Sequence, residues 1–200
     1  MMKLFGSLTS PYVRRVRVVA AELSAPCTLV DAFSDEGQAE LRRLTPIWKV
    51  PLVQLDGMTL WETDVILDEL VRRFGPGELR HPTGTHDVEE RCLRAAIDEC
   101  LSTLVKRFYL ARDGVDVEAV AYLRKDRERV MSILHWLDER TQGPWLSPEP
   151  SFGFSELYLY TALDWIALRE VAPLSSFERL RAFMSAHEAR TSLVATAPPR

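Results

Sequence analysis

The hydrophobic pattern of this 200-residue chain changes its period once, and this change constrains the fold more than any other feature. Before residue 75, short β-rich segments alternate with helical ones, whereas after residue 85 only helical spacing occurs. The stretch GPGELRHPTGT, residues 75–85, lies between the two patterns, and its three glycines and two prolines indicate a linker. We therefore expect an α/β domain at residues 1–75, a linker at 76–85 and an all-helical domain at 86–200.

The first domain is expected to contain a βαβ unit, then a hairpin and a helix. The predicted strands cover residues 3–7, 27–33, 52–55 and 58–61, and the predicted helices cover residues 12–23, 36–43 and 63–74. A βαβ unit pairs its strands in parallel, and a hairpin around Asp56 and Gly57 would add antiparallel strands. Thr63 could cap the last of these helices.

The second domain is expected to be a helical bundle. Its predicted helices cover residues 86–112, 117–140, 154–169 and 176–190. The third of these is apolar on most faces, which is typical of a helix in the centre of a bundle. The final APPR is expected to be frayed.

Composition narrows the functional class. The net charge of −4 argues against bulk binding to nucleic acid or to an anionic membrane, and no run of about 20 apolar residues predicts a membrane span. The three cysteines are an odd number without a CxxC motif, so a reducing cytoplasm is expected and a disulfide framework is not. The four histidines are scattered, so we predict no metal site.

Four stretches carry a resemblance to a known family: SPYVRRVRV, TPIWKVPLV, WETDVILDEL and GFSELYLYTALDW. Their order and spacing resemble those of the cytosolic glutathione transferases, and especially of bacterial serine-type members with a Ser-Pro start. The resemblance implies an α+β two-domain fold, with a thioredoxin-like βαβ-ββα domain followed by an all-α helical bundle. It also implies a homodimeric transferase that conjugates reduced glutathione, its co-substrate, to small hydrophobic electrophiles without a metal.

Ser10 is the first candidate for catalysis. With Pro11 it forms a standard helix start, and such a cap contributes about 1 kcal/mol to stability. The same geometry can stabilise a thiolate, because a hydroxyl at a helix N-terminus can donate to sulfur and lower a thiol pKa from about 8.5. The resemblance implies this role for Ser10, with Thr9 as a rival hydroxyl. Arg14 and Arg15 could add positive potential, although such arginines usually lie on solvated helix faces.

The resemblance also implies residues that bind glutathione. Val50 precedes Pro51, whose peptide bond is expected to be cis, and its backbone would pair with the cysteinyl backbone. Thr63 would bind the γ-glutamyl carboxylate and Glu62 the ammonium group, while Lys49 could reach the glycyl carboxylate. From the residues alone, plainer roles remain open: a strand start, a helix cap beside an acid, and an exposed loop lysine.

Three positions depart from the family pattern. Trp48 stands where the family commonly has glycine, so its indole could stack on bound glutathione, narrow the groove or pack elsewhere. Thr45 replaces the usual asparagine. Gly153 replaces the Ser or Thr of a structural capping box, and although Glu156 can still reach back, we expect a somewhat weaker cap.

The electrophile would bind between the two domains, and the candidates by position are Tyr12, Phe108, Tyr109, Arg112 and Trp165. Asp98 is either a solvated acid or a residue that reaches the γ-glutamyl ammonium across the dimer interface. Cys92 and Cys100 are expected to behave as small hydrophobic residues. The absence of cysteine at position 10 argues against the thiol-disulfide chemistry of omega-like members.

Two other functions remain open from the sequence. A non-catalytic binding or regulatory protein can share this fold, because fold alone does not fix function, and Trp48 favours this alternative. A glutathione-dependent isomerase or dehalogenase would use the same thiolate.

Overall fold

The computed structural model describes residues 1–81 and 85–199. Its elements are β1 (Met2–Gly6), α1 (Pro11–Glu22), β2 (Cys27–Asp31), α2 (Asp35–Leu44), β3 (Leu52–Leu55), β4 (Met58–Trp61), α3 (Thr63–Phe74), α4 (Thr85–Arg112), α5 (Ala121–Arg140), α6 (Phe154–Arg169), a short 3-10 helix (Leu174–Ser176), α7 (Glu178–His187) and α8 (Thr191–Ala195). Contacts divide the chain into two compact units, one of Met1–Leu79 with the chain end from Ala189 and one of Arg80–Glu188. The predicted linker includes residues 82–84, which lie outside the described residues.

The first unit is built on a mixed sheet with the strand order β2-β1-β3-β4. β1 pairs in parallel with β2, while β3 pairs antiparallel with both β1 and β4. Successive side chains of a strand point to opposite faces, so the opposed residues Phe5 and Leu52 lie on one face. There they form a buried cluster with Ala32 and with Leu41 of α2. The predicted βαβ unit and hairpin are both present.

The chain end from Ala189 packs on α1, whereas the sequence analysis placed it in the helical domain. Arg14 of α1 donates to the Leu193 carbonyl and Arg17 to the Thr196 carbonyl, each at 3.0 Å. At the other end of α1, Glu22 accepts a hydrogen bond from Arg190 Nε at 2.7 Å. The single helix predicted at residues 176–190 is instead the 3-10 helix and α7, and α8 then follows as a separate helix.

The second unit contains the remaining helices. α6 is buried along nearly its whole length, as expected for a central helix. α5 begins at Ala121 rather than at residue 117, because the Asp116 carboxylate accepts hydrogen bonds from the backbone N–H groups of Glu118 and Ala119 and holds a turn there. None of the helices in the described ranges is long and apolar enough to cross a membrane.

A buried ion network surrounds the start of α6. Glu156 accepts a hydrogen bond from the Gly153 N–H at 3.0 Å, so it reaches back as expected. The Arg80 guanidinium lies beside Gly153, where an added Cβ would come within 3.1 Å of it, and donates to Glu90 at 2.6 Å and to Glu156 at 2.9 Å. Burial disfavours the guanidinium charge, but attraction to Glu156 and Glu90 outweighs it and raises the pKa of Arg80. Arg80 therefore fills the space that a capping side chain would occupy.

Candidate functional site

The register of the sheet brings three segments of the first unit to one edge. Phe5 near the end of β1 opposes Leu52 at the start of β3, and Leu52 opposes Trp61 at the end of β4. Because neighbouring strands lie about 4.8 Å apart, β1 and β4 are separated by about 10 Å at this edge. The segments that adjoin these strand ends contain the predicted residues Thr9, Ser10, Val50, Pro51, Glu62 and Thr63. We call this part of the sheet the site edge.

Ser10 is the N-cap of α1, as its sequence context predicts. Its Oγ accepts a hydrogen bond from the Val13 N–H at 3.3 Å, and Pro11 occupies the first helical position. A hydroxyl that accepts a hydrogen bond keeps its proton for donation to another group. The Thr9 hydroxyl lies 3.4 Å from the Ser7 hydroxyl, and either of them can be the donor. Ser10 is thus the hydroxyl whose oxygen is fixed by the helix N-terminus.

Arg14 and Arg15 of α1 are buried, in contrast to the solvated positions that are usual for such residues. Arg14 is 4% and Arg15 0% exposed. Arg14 is directed to the Leu193 carbonyl, while the Arg15 guanidinium lies 5.2 Å from the centre of the Tyr12 ring. The first turn of α1 contains no acidic residue, so no carboxylate in that turn offsets the positive end of its dipole.

The Val50–Pro51 peptide bond is cis. Pro51 is buried, and Val50 is partly buried against the cluster around Phe5. The ladder pairs of β3 begin at Leu52, so Val50 and Pro51 precede them. The main chain at residue 50 therefore borders the site edge just before the paired part of the strand.

The start of α3 differs from the prediction by one residue. Glu62, not Thr63, is the N-cap, and Thr63 is the first helical residue and is buried. Glu62 has φ 69° and ψ 127° and makes no capping hydrogen bond with its side chain. A residue with a side chain in such a sparsely populated conformation stores about 1–3 kcal/mol of strain, and residues of this kind cluster at active sites and ligand-binding sites. The first-turn N–H groups of α3 face the site edge and donate no hydrogen bond to the Glu62 side chain. N–H groups at a helix start are suited to binding an anion.

Trp48 also has a positive φ of 50°, a conformation that glycine adopts readily. Its indole is 58% exposed and lies 5.1 Å from the Arg42 guanidinium of α2. The sequence left three roles open for this indole: stacking on bound glutathione, narrowing the groove, or packing elsewhere. The structure shows the indole packed on α2. Lys49 is exposed, and Thr45 is the buried C-cap of α2, where its hydroxyl accepts from the Ile47 N–H at 3.4 Å.

The second unit brings four predicted electrophile residues together. The Phe108 ring packs edge-on against Trp165 at 5.8 Å and against Tyr109 at 5.4 Å between ring centres. The Arg112 guanidinium lies 4.6 Å from the centre of the Tyr109 ring. Trp165 is buried and Phe108 is half-buried, whereas Tyr109 is exposed. Tyr12 belongs to the first unit, and Asp98 is a half-buried residue of α4.

Sequence reasoning missed one member of this group. Arg169 places its guanidinium 5.2 Å from the centre of the Phe108 ring. The spacing of four residues between Trp165 and Arg169 was the available signal, because residues i and i+4 share a helix face. We call Phe108, Tyr109, Arg112, Trp165 and Arg169 the aromatic–arginine cluster.

Cys92 and Cys100 differ in their exposure to solvent. Burial raises the pKa of the Cys100 thiol to about 12, so this thiol stays protonated. Cys92 is exposed, contrary to the expectation of a small hydrophobic residue. Within residues 1–81 and 85–199, no three His, Cys, Asp or Glu side chains are grouped to hold a metal ion.

The mixed sheet, with its serine-capped helix after β1 and a proline just before β3, defines a thioredoxin-like domain, and an all-helical unit follows it. Residues 4–78 match the family model described as the N-terminal domain of glutathione S-transferase.

Solved structures are similar over the whole chain. A glutathione S-transferase from Methylobacillus flagellatus with glutathione bound is 25% identical, with 100% of each chain covered and a TM-score of 0.88. One from Methylobacterium radiotolerans, in complex with glutathione sulfonate, is 21% identical over 100% of this chain and 95% of that chain, with a TM-score of 0.86. A family member from Pseudomonas fluorescens with bound glutathione is 24% identical, with 100% of each chain covered and a TM-score of 0.85. Residues 4–78 thus form a glutathione S-transferase N-terminal domain, the similar structures support the expected family, and the expected fold is confirmed.

Proposed function

We propose that this protein is a glutathione transferase that ionises the thiol of reduced glutathione and joins it to a small hydrophobic electrophile. The observation that carries the proposal is the site edge, where a serine-capped helix, the Val50 main chain and an uncapped helix start adjoin three neighbouring strand ends. Three similar structures contain glutathione or glutathione sulfonate, which supports the same ligand here.

The groups of glutathione are matched by the groups at this edge. We assign the thiol to Ser10 and the cysteinyl backbone to the N–H and C=O of Val50, in the manner of an added strand. The γ-glutamyl carboxylate is assigned to the hydroxyl and N–H of Thr63 at the start of α3, and its ammonium group to Glu62. Lys49, on the exposed loop before Pro51, is assigned to the glycyl carboxylate.

Catalysis then rests on stabilising a thiolate. A hydrogen bond to a charged group contributes about 1.5–3 kcal/mol, which corresponds to a fall of about 1–2 units in the thiol pKa. The N-terminus of α1 adds a favourable dipole. The thiolate attacks the electrophilic carbon, a carbon–sulfur bond forms, and the leaving group departs with the electron pair. Ser10 donates a hydrogen bond throughout and forms no covalent bond.

The helical domain is proposed to bind the electrophile. Phe108, Tyr109 and Trp165 supply aromatic rings for it, and Arg112 supplies a guanidinium beside Tyr109. Residues 1–75 thus serve as the glutathione-binding domain and residues 86–200 supply most of the second substrate's contacts.

We further propose that the protein is a cytoplasmic homodimer. On the first unit, the edge strand β4 and helix α3 expose the apolar side chains of Met58, Trp61 and Val65 by 37%, 38% and 51%, and exposed apolar side chains favour contact with a second copy. Asp98 would then reach the γ-glutamyl ammonium across the interface. All three cysteines are free thiols, in keeping with a reducing compartment. Light scattering at several protein concentrations tests the dimer.

The decisive experiment separates the role of Ser10 as a helix cap from its proposed role in stabilising the thiolate. Replacing a serine N-cap with glycine destabilises a helix by only a few tenths of a kcal/mol, so Ser10→Gly removes the hydroxyl and largely keeps the fold. Ser10→Thr is the matched control that retains the hydroxyl, and Thr9→Val tests the rival. The measurements are the ultraviolet absorbance of the bound thiolate as a function of pH and kcat/KM with a chlorodinitrobenzene.

We expect the pKa of bound glutathione to rise by about 1–2 units in Ser10→Gly and kcat/KM near neutral pH to fall about tenfold or more. Loss of activity in Thr9→Val but not in Ser10→Gly would transfer the role to Thr9. Wild-type protein that binds no glutathione in calorimetry at millimolar ligand would favour a non-catalytic binding or regulatory protein. Glutathione binding without conjugation would direct a substrate screen to isomerase and dehalogenase reactions.

A further inference from the structure

Arg169 is the member of the aromatic–arginine cluster with the least ordinary surroundings. It lies in the last turn of α6, half-buried, with its guanidinium 5.2 Å from the centre of the Phe108 ring. Its Nε is buried and has no hydrogen-bond acceptor among the described residues. No ion pair of Arg169 occurs within residues 1–81 and 85–199 either.

Two inward-facing arginines of the same unit have carboxylate and carbonyl partners. Arg80 pairs with Glu90 and Glu156, and Arg107 pairs with Glu118 at 2.6 Å and donates to the Leu123 carbonyl. A guanidinium remains charged in a protein, and a buried donor without an acceptor costs about 1–3 kcal/mol. Attraction to the face of an aromatic ring offsets only about 0.5–2 kcal/mol of this cost. Within the described part of the chain, the Arg169 guanidinium thus contacts an aromatic ring but no anionic side chain.

The neighbours of Arg169 indicate the kind of anion that would fit. Phe108 packs edge-on against both Trp165 and Tyr109, so aromatic surface lies directly beside the guanidinium. The second cation, Arg112, already contacts the exposed Asp113 at 3.2 Å and stacks on Tyr109. A ligand with a flat ring and one acidic group can contact the aromatic side chains and the Arg169 guanidinium together. A guanidinium can donate two parallel hydrogen bonds to a carboxylate.

We infer that the preferred electrophile is an aromatic or conjugated compound that carries a carboxylate, and that Arg169 determines this specificity by binding the carboxylate. This inference rests on the proposed function for the conjugation step and on the cluster for the choice of substrate. The reaction itself is unchanged: the glutathione thiolate forms the carbon–sulfur bond, and the leaving group departs with its electron pair.

The kinetic test compares two electrophiles with the same reactive carbon, a chlorodinitrobenzoate and its methyl ester, each corrected for its uncatalysed rate. For the wild type we expect kcat/KM to favour the acid over the ester by about tenfold or more, the worth of one charge-assisted hydrogen bond. Arg169→Met should lower kcat/KM for the acid about tenfold more than for the ester and so abolish this preference, and Arg169→Lys should keep part of it. Arg127→Met, which removes an exposed arginine of α5, is the matched control and should change neither rate.

A binding test separates this inference from the proposed function. Dinitrobenzoate without the chlorine cannot react, so its affinity is measured by quenching of tryptophan fluorescence in the absence of glutathione. If neither electrophile is conjugated but Arg169→Met weakens dinitrobenzoate binding about tenfold, the transferase proposal fails and the acid site stands. If the wild type treats acid and ester alike, or if Arg169→Met and Arg127→Met behave alike in both assays, the inference is overturned and Arg169 is a structural residue of α6.

Discussion

Replacement of Arg80 by methionine should strongly destabilise the helical unit. The side chains of Arg80, Glu90 and Glu156 are 2%, 4% and 0% exposed, so the change leaves two carboxylates in the interior without their cation. Methionine has a similar length and fills most of the volume. The loss is therefore electrostatic and does not create a large cavity.

The magnitude follows from the geometry. Breaking one buried ion pair costs about 3–5 kcal/mol, and Arg80 serves two carboxylates and the Ser151 carbonyl, so we expect a value near the upper end. A slope of about 2 kcal/mol per molar urea converts a loss of about 4–5 kcal/mol into a midpoint shift of about 2 M. A loss of this size is a large fraction of the 5–15 kcal/mol that typically stabilises a folded protein.

The assay is urea unfolding followed by circular dichroism at one fixed protein concentration. Arg91→Met is the matched control, because Arg91 pairs with Asp87 at 2.9 Å on the exposed face of α4 and such pairs contribute less than about 1 kcal/mol. The double variant Arg80→Met/Glu90→Met should recover part of the loss by replacing charge with apolar packing. A midpoint for Arg80→Met no lower than that of Arg91→Met would refute the reasoning.

Three further changes test other features. Gly153→Ala should lower the free energy of unfolding by about 1–3 kcal/mol, because the new Cβ lies 3.1 Å from the Arg80 guanidinium. Urea unfolding should show a smaller loss when the same change is made in the Arg80→Met variant. Equal losses in the two backgrounds would contradict this contact. Trp48→Gly should raise stability by about 1 kcal/mol in thermal unfolding, because relief of a φ of 50° outweighs the loss of the exposed contact with Arg42, and a less stable variant would contradict this reasoning. The pKa of Glu22 is lowered because hydrogen bonds from Arg190 and Ser192 outweigh burial, so its stabilisation is present above the ordinary value of 4.5 and lost as pH falls through the folded value. The stability difference between wild type and Arg190→Met should therefore be constant from pH 7 to about 5 and shrink below about 4.5, and a difference that grew in acid would contradict it.

The sequence predicted the elements that depend on interactions between residues close together in the chain. Ser10 and Pro11 specify a helix start wherever they occur before an apolar repeat, and Asp56 and Gly57 specify a hairpin between two β-rich runs. The register Phe5–Leu52–Trp61 could not be derived in the same way, because it depends on pairing between strands that are distant in the sequence.

Features that depend on tertiary contacts could not be predicted from the sequence. The positive φ of Glu62 carries no compositional signal, since neither a glycine nor an asparagine marks it. The burial of Arg14 depends on the carbonyls of a helix that begins near residue 191. Gly153 was interpreted as a missing cap because nothing in its neighbourhood indicates that Arg80 fills the space beside it.

The return of α8 to α1 has a consequence for how the protein is made. The first unit is discontinuous, because the whole of Arg80–Glu188 is inserted between its two parts. At a synthesis rate of about 5–20 residues per second, the ribosome needs roughly 5–20 s to make that insertion. During this interval Arg14, Arg17 and Glu22 have no α8 to contact. The unit that begins first is thus completed last, and a chain truncated after Glu188 lacks the Leu193 and Thr196 carbonyls and the Arg190 guanidinium that these three groups contact.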